Sequence, residues 1–300
     1  MRRRLSKPAM TCMAIVGVAL LVNGSAAPAW CMPAAPVIAP QPPLTPLDVD
    51  AEPLTPWDGL DARTRQATAD AAKSGADIEV VVMDRDTGQI VSNGANQPFP
   101  IASVVKLFIA DDLLLQESKG ETKLSAADRK SLDIMLRSSD DGAAQTFWDR
   151  SGGNAIISRV VARYGLSGTT APYNGHWDVT QSTASDLVRY YDMLLDGTGG
   201  LPPEQTSVII TNLAQSTPTG TDGYPQRFGI PEGLFAEAVA VKQGWFCCWS
   251  GANQLHVSTG AIGLDARYVM AISSLEPGDA AAARNTITQA VKTMFPGGHI

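Results

Sequence analysis

A serine and a lysine three residues apart are the first candidates for catalysis. Ser103 and Lys106 stand in Ser-Val-Val-Lys, directly before the apolar run Leu107-Phe108-Ile109. Residues three apart share one face of a helix, so the hydroxyl and the amine can meet. A serine hydroxyl needs an adjacent base to act as a nucleophile, and a lysine can serve when burial lowers its pKa. The spacing predicts Ser103 as a nucleophile with Lys106 as its base.

Taken alone, Ser-x-x-Lys is weak evidence, because a short motif of two common residues recurs by chance. The alternative is a serine in the first turn of a helix, followed by a surface lysine. The context favours the catalytic interpretation, because the pair opens an apolar helix directly after a predicted hairpin of strands.

Two further polar segments follow in the chain. Ser139-Asp140-Asp141 lies between two predicted helices, and Lys242-Gln243-Gly244 lies inside a predicted strand. Both have a purely structural alternative. Ser139 and the aspartates after it could cap the following helix, since Ser and Asp are favoured N-caps. Lys242 could be a strand lysine that faces solvent.

In this order, the three segments resemble the Ser-x-x-Lys, Ser-Asp-Asn and Lys-Thr-Gly motifs of class A β-lactamases and D-alanyl-D-alanine peptidases. The likeness runs from about residue 61 to about residue 295, and is closest to actinobacterial alanine-rich lipoproteins of this fold. It implies that Ser103 is acylated, that Lys106 helps to deprotonate it and that Ser139 passes a proton to the leaving group. The substrate-binding residues that the resemblance implies are Asp141, Lys242, Gln243, Gly244 and Trp245, with the N–H groups of Ser103 and Trp245 as the oxyanion hole.

The sequence departs from this family pattern at several positions. Asp141 replaces an asparagine, which exchanges an amide donor for a carboxylate that only accepts. Gln243 replaces a threonine, and the next strand offers His256 instead of an arginine for binding a substrate carboxylate. The segment 169–182, where the β-lactamases keep a deacylating glutamate, has Asp178 as its one acidic residue. We therefore expect weak deacylation.

The elements that must position these residues follow from periodicity. Helical patterns cover 58–72, most of 103–213 and 278–294, and strand patterns cover 78–83, 89–92, 239–248, 254–262 and 268–273. Two strands before the helical block and three after it can pair into one antiparallel sheet. The sequence thus predicts an α/β (α+β) protein of the β-lactamase/transpeptidase type, with a five-stranded antiparallel sheet flanked by terminal helices and an all-helical lobe.

The N-terminus has the layout of an export signal. Arg2, Arg3, Arg4 and Lys7 precede an apolar run of about 13 residues and a stretch of small residues, which predicts a signal peptide over 1–30. Eight prolines between positions 32 and 56 predict a disordered linker over 31–57, before a hydrolase domain over 58–297. Cys31 offers an alternative fate, a lipid tether to the membrane.

Charge and cysteines limit the partners. Without the N-terminal basic residues, 19 basic residues face 30 acidic ones, a balance that argues against nucleic acid. Cys247 and Cys248 are adjacent, so a vicinal disulfide would need a distorted turn; a link from Cys31 to one of them, or free thiols, is equally open. No spacing resembles a metal site, and we expect no cofactor and a monomer.

Two functions remain after these exclusions. The first is an exported serine hydrolase that forms an acyl-enzyme at Ser103 with a small-molecule or peptidoglycan-like amide or ester. The alternative is a binding module that keeps the cleft without turnover, which the changes at Asp141 and Gln243 favour. A scaffold without a ligand ranks last, because it leaves the ordered set of serines and lysines unexplained.

Overall fold

Residues 57–300 are described by a computed structural model of the chain. The predicted signal peptide and all but the last residue of the predicted linker lie outside this range. Within it, no helix is both long and apolar enough to cross a membrane. Short 3-10 helices occupy Ala102–Val105, Trp177–Val179 and Pro296–Gly298. The other elements are, in chain order, α1 (Leu60–Lys73), β1 (Asp77–Asp84), β2 (Gln89–Ser92), β3 (Phe99–Pro100), α2 (Lys106–Ser118), α3 (Ala126–Arg137), α4 (Asp141–Arg150), α5 (Asn154–Tyr164), β4 (Gln181–Ser182), α6 (Ala184–Asp196), α7 (Pro203–Ala214), α8 (Ile230–Gly233), β5 (Val239–Trp249), β6 (Asn253–Ile262), β7 (Tyr268–Glu276) and α9 (Ala280–Met294).

Five strands form one antiparallel sheet in the order β2-β1-β7-β6-β5, which confirms the predicted architecture. The first and last parts of the chain meet in its centre, because β1 pairs with β7 along its whole length. Strand β5 is consequently an edge strand, paired only with β6 within this sheet. An edge strand keeps alternate backbone N–H groups available for other partners.

Each face of the sheet covers its own apolar cluster. Val80 and Val82 of β1 pack into the cluster beneath α1 and α9, with Ile287 and Val291 of α9. Val81, between them, packs into the cluster formed with the helical block. Successive side chains of a strand point to opposite faces, so one apolar run serves both clusters. The sheet therefore separates the terminal helices from the all-helical lobe.

Capping sets helix boundaries that differ from the predicted ones. Helix α1 begins at Leu60 rather than at Asp58, because Gly59 takes a left-handed conformation with φ 70° at the N-cap. Helix α9 begins at Ala280 rather than at Gly278, because the Asp279 carboxylate accepts hydrogen bonds from the first free N–H groups of the helix.

A second, two-stranded sheet that the sequence did not predict anchors the segment before Ser103. Strand β3 pairs with β4, which follows the 3-10 helix Trp177–Val179. The buried carboxylate of Glu79 on β1 accepts hydrogen bonds from the backbone N–H groups of Ala184, at 2.6 Å, and Gln97, at 2.9 Å. These contacts tie both segments of the small sheet to the large one.

Strand β5 ends in a disulfide between the adjacent residues Cys247 and Cys248. The pairing with β6 shifts register between Cys247 and Trp249, and Cys248 has φ 77°. This is the distorted turn that a vicinal pairing requires. Both cysteines are exposed, on the same strand as Lys242.

Candidate active site

Ser103 and Lys106 meet as their spacing predicts. Ser103 Oγ lies 2.7 Å from Lys106 Nζ. Ser103 belongs to the 3-10 turn Ala102–Val105, and α2 begins only at Lys106. The residue before the serine, Ala102, has φ 47°, a left-handed conformation that is strained for a residue with a side chain. The Ser103 hydroxyl, which follows this strained residue, contacts the amine of Lys106.

Ser139 lies between the two lysines of the site. Its Oγ is 3.2 Å from Lys106 Nζ and 2.8 Å from Lys242 Nζ, and its carbonyl accepts a hydrogen bond from Lys106 at 2.7 Å. Ser139 is buried and has φ 56°. The cap of α4 is instead Asp140, which accepts from the N–H of Ala143 at 2.7 Å. The capping alternative thus applies to Asp140, while Ser139 joins the lysines.

The surface alternative for Lys242 is wrong, because this side chain is 1% exposed. Burial and the neighbouring charge of Lys106 hold the pKa of Lys242 well below its usual value. Burial also lowers the pKa of Lys106, which favours the neutral amine that a base requires. Two ammonium groups that share one serine hydroxyl would repel each other, so the arrangement favours at least one neutral lysine.

Asp141 opposes the neutral form of Lys106. Its Oδ1 lies 2.6 Å from Lys106 Nζ, and its charge raises the pKa that burial lowers. An ammonium has three N–H donors, yet four oxygens surround Lys106 Nζ: those of Ser103 and Asp141, and both Oγ and O of Ser139. A protonated Lys106 therefore cannot give each of these oxygens an N–H of its own, and only the neutral amine has a lone pair that can accept the proton of the Ser103 hydroxyl.

Alternation along β5 divides the third segment between the two faces of the sheet. Ala240 and Phe246 pack with the helical block, so Lys242 and Gly244 also lie on the side of Ser103. A Cβ at Gly244 would lie 2.5 Å from the carbonyl oxygen of Ile101 and 3.3 Å from the N of Ser103. Only glycine allows β5 to approach the nucleophile this closely.

The assignment of Gln243 to substrate binding is not supported by its position. Gln243 is 2% exposed and lies on the opposite face of β5, as the strand alternation requires. Its amide donates to the backbone carbonyls of Gln226, at 3.1 Å, and Phe228, at 2.6 Å. The residue that replaces the family threonine holds the loop before α8.

His256 also lies away from Ser103. It pairs with Trp245 across the β5–β6 ladder and is 1% exposed. Its Nε2 is 2.7 Å from the hydroxyl of Tyr224, and Phe228 packs edge-on against its ring. Burial, and secondly the charge of Arg284, lower its pKa to about 3. His256 is a neutral core histidine and cannot replace an arginine at the cleft.

Ser103 opens into a cavity of about 250 Å³. Of the predicted residues, Ser103, Asp141 and Trp245 line it, whereas Lys106, Ser139 and Lys242 lie buried behind them. The Trp245 ring stacks on Tyr224 at 4.8 Å between centroids, and its Nε1 is 3.3 Å from Asp222 Oδ2. Trp177 and Asp222 line the cavity although nothing in the sequence pointed to them, and Asp178, to which the sequence assigned no role, lines it too. The cavity lining comprises Ala102, Ser103, Asp141, Trp177, Asp178, Asp222, Trp245 and Phe246.

Relatives in mycobacteria match most of the chain in sequence. The protein named "Putative lipoprotein LppW" in Mycobacterium tuberculosis and Mycobacterium bovis is 60% identical over 250 residues, which cover 83% of this chain and 79% of the relative. The chain belongs to the LppW family. Residues 62–128, which include Ser103 and Lys106, match the model of the β-lactamase enzyme family, Beta-lactamase2.

Solved structures relate the LppW fold to β-lactamases and penicillin-binding proteins. A β-lactamase from Chitinophaga pinensis matches with a TM-score of 0.63 and 16% identity, over 77% of this chain and 98% of that one. A mutant of PBP-A, solved as an acyl-enzyme complex with penicillin G, matches with a TM-score of 0.66 and 17% identity, over 81% of this chain and 97% of that one. The LppW family therefore has the β-lactamase fold that the three motifs predict.

Proposed function

We propose that this protein is an exported serine hydrolase that forms an acyl-enzyme at Ser103 with an amide or ester of the cell envelope. The peptidoglycan stem peptide and the β-lactam are the two candidate substrates of this class. The observation that carries the proposal is the 2.7 Å contact between Ser103 Oγ and Lys106 Nζ at the base of an accessible cavity.

Acylation uses the chain of contacts from Ser103 to Ser139. The hydroxyl of Ser103 gives its proton to neutral Lys106 as Oγ bonds to the substrate carbonyl carbon. The bond from that carbon to the leaving nitrogen or oxygen then breaks, and the leaving group takes a proton through Ser139. The N–H groups of Ser103 and Trp245 are proposed to hold the developing oxyanion, since β5 is an edge strand.

Deacylation is the slow step of this proposal. No glutamate stands between 169 and 182, and the carboxylate that reaches the cavity from this segment is Asp178. Hydrolysis of the acyl-enzyme needs a base that activates water. A stable acyl-enzyme is therefore the expected product with a penicillin. The penicillin G adduct of the PBP-A mutant, a structure of the same fold, supports this choice of reagent.

The cell envelope is the proposed location. The basic, apolar and small-residue segments at the start of the chain support export, and the relatives' name as lipoproteins supports attachment to a membrane. Cys31 is the proposed site of such a tether, with the proline-rich stretch as the spacer.

The alternative function is a binding module with the same cleft. The Asp141–Lys106 ion pair favours it, because this contact stabilises the protonated lysine, which cannot act as a base. The two functions differ in whether the hydroxyl reacts.

Intact-protein mass spectrometry after incubation with a neutral fluorophosphonate, and separately with a penicillin, tests the proposal. Ser103→Ala removes the hydroxyl, and Ser118→Ala, which replaces an exposed serine at the end of α2, is the matched control. We expect an adduct in the wild type and in Ser118→Ala but not in Ser103→Ala, with a long-lived penicillin adduct. Folded protein without an adduct from either reagent would leave the binding module.

A further inference from the structure

The opening of the Ser103 cavity carries an unusual charge. Three lining side chains are carboxylates, Asp141, Asp178 and Asp222, here called the acidic rim. They come from three separate parts of the chain: the start of α4, the 3-10 helix after residue 176 and the loop before Tyr224. Among residues 57–300, no arginine, lysine or histidine contributes to the cavity lining.

The two lysines behind the cavity do not cancel this charge. Both are buried, with pKa values lowered by burial, and Lys106 is already paired with Asp141. If both lysines were protonated, two positive charges would face three carboxylates. With either lysine neutral, as the catalytic role of Lys106 requires, the excess of negative charge grows. The opening is thus negative in every protonation state of the lysines.

Aromatic side chains form the rest of the wall. Trp177 and Trp245 line the cavity. Lys106 Nζ lies 4.8 Å from the ring centroid of Trp177, and Tyr224 stacks on one face of the Trp245 ring. The faces of indole rings attract cations. The Trp245 N–H holds Asp222 at the wall, at 3.3 Å, so a carboxylate and a ring occur side by side. An indole ring next to a carboxylate suits an organic ammonium group.

We propose that the substrate of Ser103 is an amide or ester that carries an ammonium group near the scissile bond, and that the acidic rim slows the reaction with substrates that carry a carboxylate there, penicillins among them. This inference rests on the proposed function, because it concerns which acyl donors reach the nucleophile. Asp178 and Asp222 are the specificity residues, since Asp141 is already engaged with Lys106. Attraction and repulsion by two carboxylates close to the substrate give a preference of about tenfold or more.

Three fluorophosphonates of equal chain length, ending in a trimethylammonium, a neutral ether or a carboxylate, test this preference. In each reaction Ser103 Oγ bonds to phosphorus, the P–F bond breaks, fluoride leaves and the hydroxyl proton passes to Lys106. The measurement is the second-order rate of Ser103 modification, followed by intact mass, with Ser103→Ala as the background. We expect the cationic reagent to react at least about tenfold faster than the anionic one, and the ratio to fall at high salt.

The variant Asp178→Asn/Asp222→Asn is expected to bring the ratio close to one, largely through faster reaction of the anionic reagent. Its matched control is Glu121→Gln/Glu204→Gln, which removes the same charge from exposed residues outside the cavity lining and should keep the ratio. Thermal unfolding verifies that both variants fold.

The outcomes separate this inference from the function on which it rests. Modification of Ser103 by the neutral reagent, with a ratio near one or below it in the wild type, would overturn the charge preference and leave the hydrolase intact. A ratio that survives in Asp178→Asn/Asp222→Asn would overturn the role of the acidic rim. No modification by any of the three reagents would remove both proposals.

Discussion

The two faces of β5 differ in how far they follow the family pattern. Towards Ser103, Lys242 and Gly244 keep the residue types of the Lys-Thr-Gly motif and contact the nucleophile's surroundings. Towards α9, Gln243 departs from the motif, and the side chain holds a buried loop. The chemistry of the first face tolerates little change, whereas the second face needs only to fill space and satisfy hydrogen bonds. The departure at Gln243 is thus evidence about packing rather than about lost catalysis.

Substitution of one residue on each face of β5 should test this difference most directly. Lys242→Met removes the amine that contacts Ser139, and we expect modification of Ser103 by the neutral fluorophosphonate to slow by about 100-fold or more. Gln243→Met, its neighbour on the other face, should retain that rate. Gln243→Met should instead lower the free energy of unfolding by about 1–3 kcal/mol, because buried carbonyls lose their donor. Equal rates in the two variants would contradict the division into faces.

Gly244→Ala tests the close approach of β5 to the nucleophile. The new Cβ would lie 2.5 Å from the carbonyl oxygen of Ile101, so the strand or the turn must shift. We expect a loss of about 1–3 kcal/mol of stability from overpacking, with a slower reaction at Ser103 because the oxyanion donors move. Chemical denaturation and the labelling rate measure the two effects. An unchanged labelling rate would show that Gly244 serves folding alone.

His256, on the α9 side of the sheet, should make the free energy of unfolding depend on pH. Its folded pKa of about 3 is below the ordinary 6.5, so between these values the unfolded chain binds a proton that the folded chain does not. The free energy of unfolding should therefore fall as the pH falls from about 6.5 towards 3, by up to about 1.4 kcal/mol for each pH unit. His256→Phe should remove this contribution, while His176→Phe, at an exposed histidine, should keep it. Denaturation curves at several pH values measure the slopes, and equal slopes in both variants would refute this origin.

Asp141→Asn, next to Lys106, is expected to have the smallest effect of these substitutions, a change in the rate at which Ser103 reacts. Loss of the carboxylate removes a contact that raises the pKa of Lys106, so the neutral amine forms at lower pH. We expect Ser103 to react a few-fold faster below the pKa of Lys106, and the rise of the pH–rate profile to move to lower pH. Glu121→Gln should leave the profile in place. A profile that moves to higher pH in Asp141→Asn would contradict the role of Asp141 as a brake on the base.

The sequence predicted what short-range patterns encode. Strand alternation and the order of polar segments were sufficient for the sheet, and the spacing of Ser103 and Lys106 predicted their contact. Strand alternation could also have placed Gln243 on the face opposite to Lys242, because neighbouring residues in a strand point to opposite faces. Asp222 and Trp177 could not be predicted in the same way. They reach the cavity from loops that the fold brings together, and no local period connects such loops with Ser103.

The disulfide at the end of β5 has a consequence for how the protein responds to its surroundings. Cross-links stabilise a fold mainly by shortening the loops of the unfolded chain, and a bond between neighbours closes the smallest ring available. Cys247 and Cys248 therefore add almost nothing to resistance against heat or denaturant. The bond instead preserves a local shape, the left-handed turn that follows Trp245 and Phe246 at the cavity wall. Reduction of this bond would therefore release the turn at the end of β5 without removing a cross-link on which the stability of the fold depends.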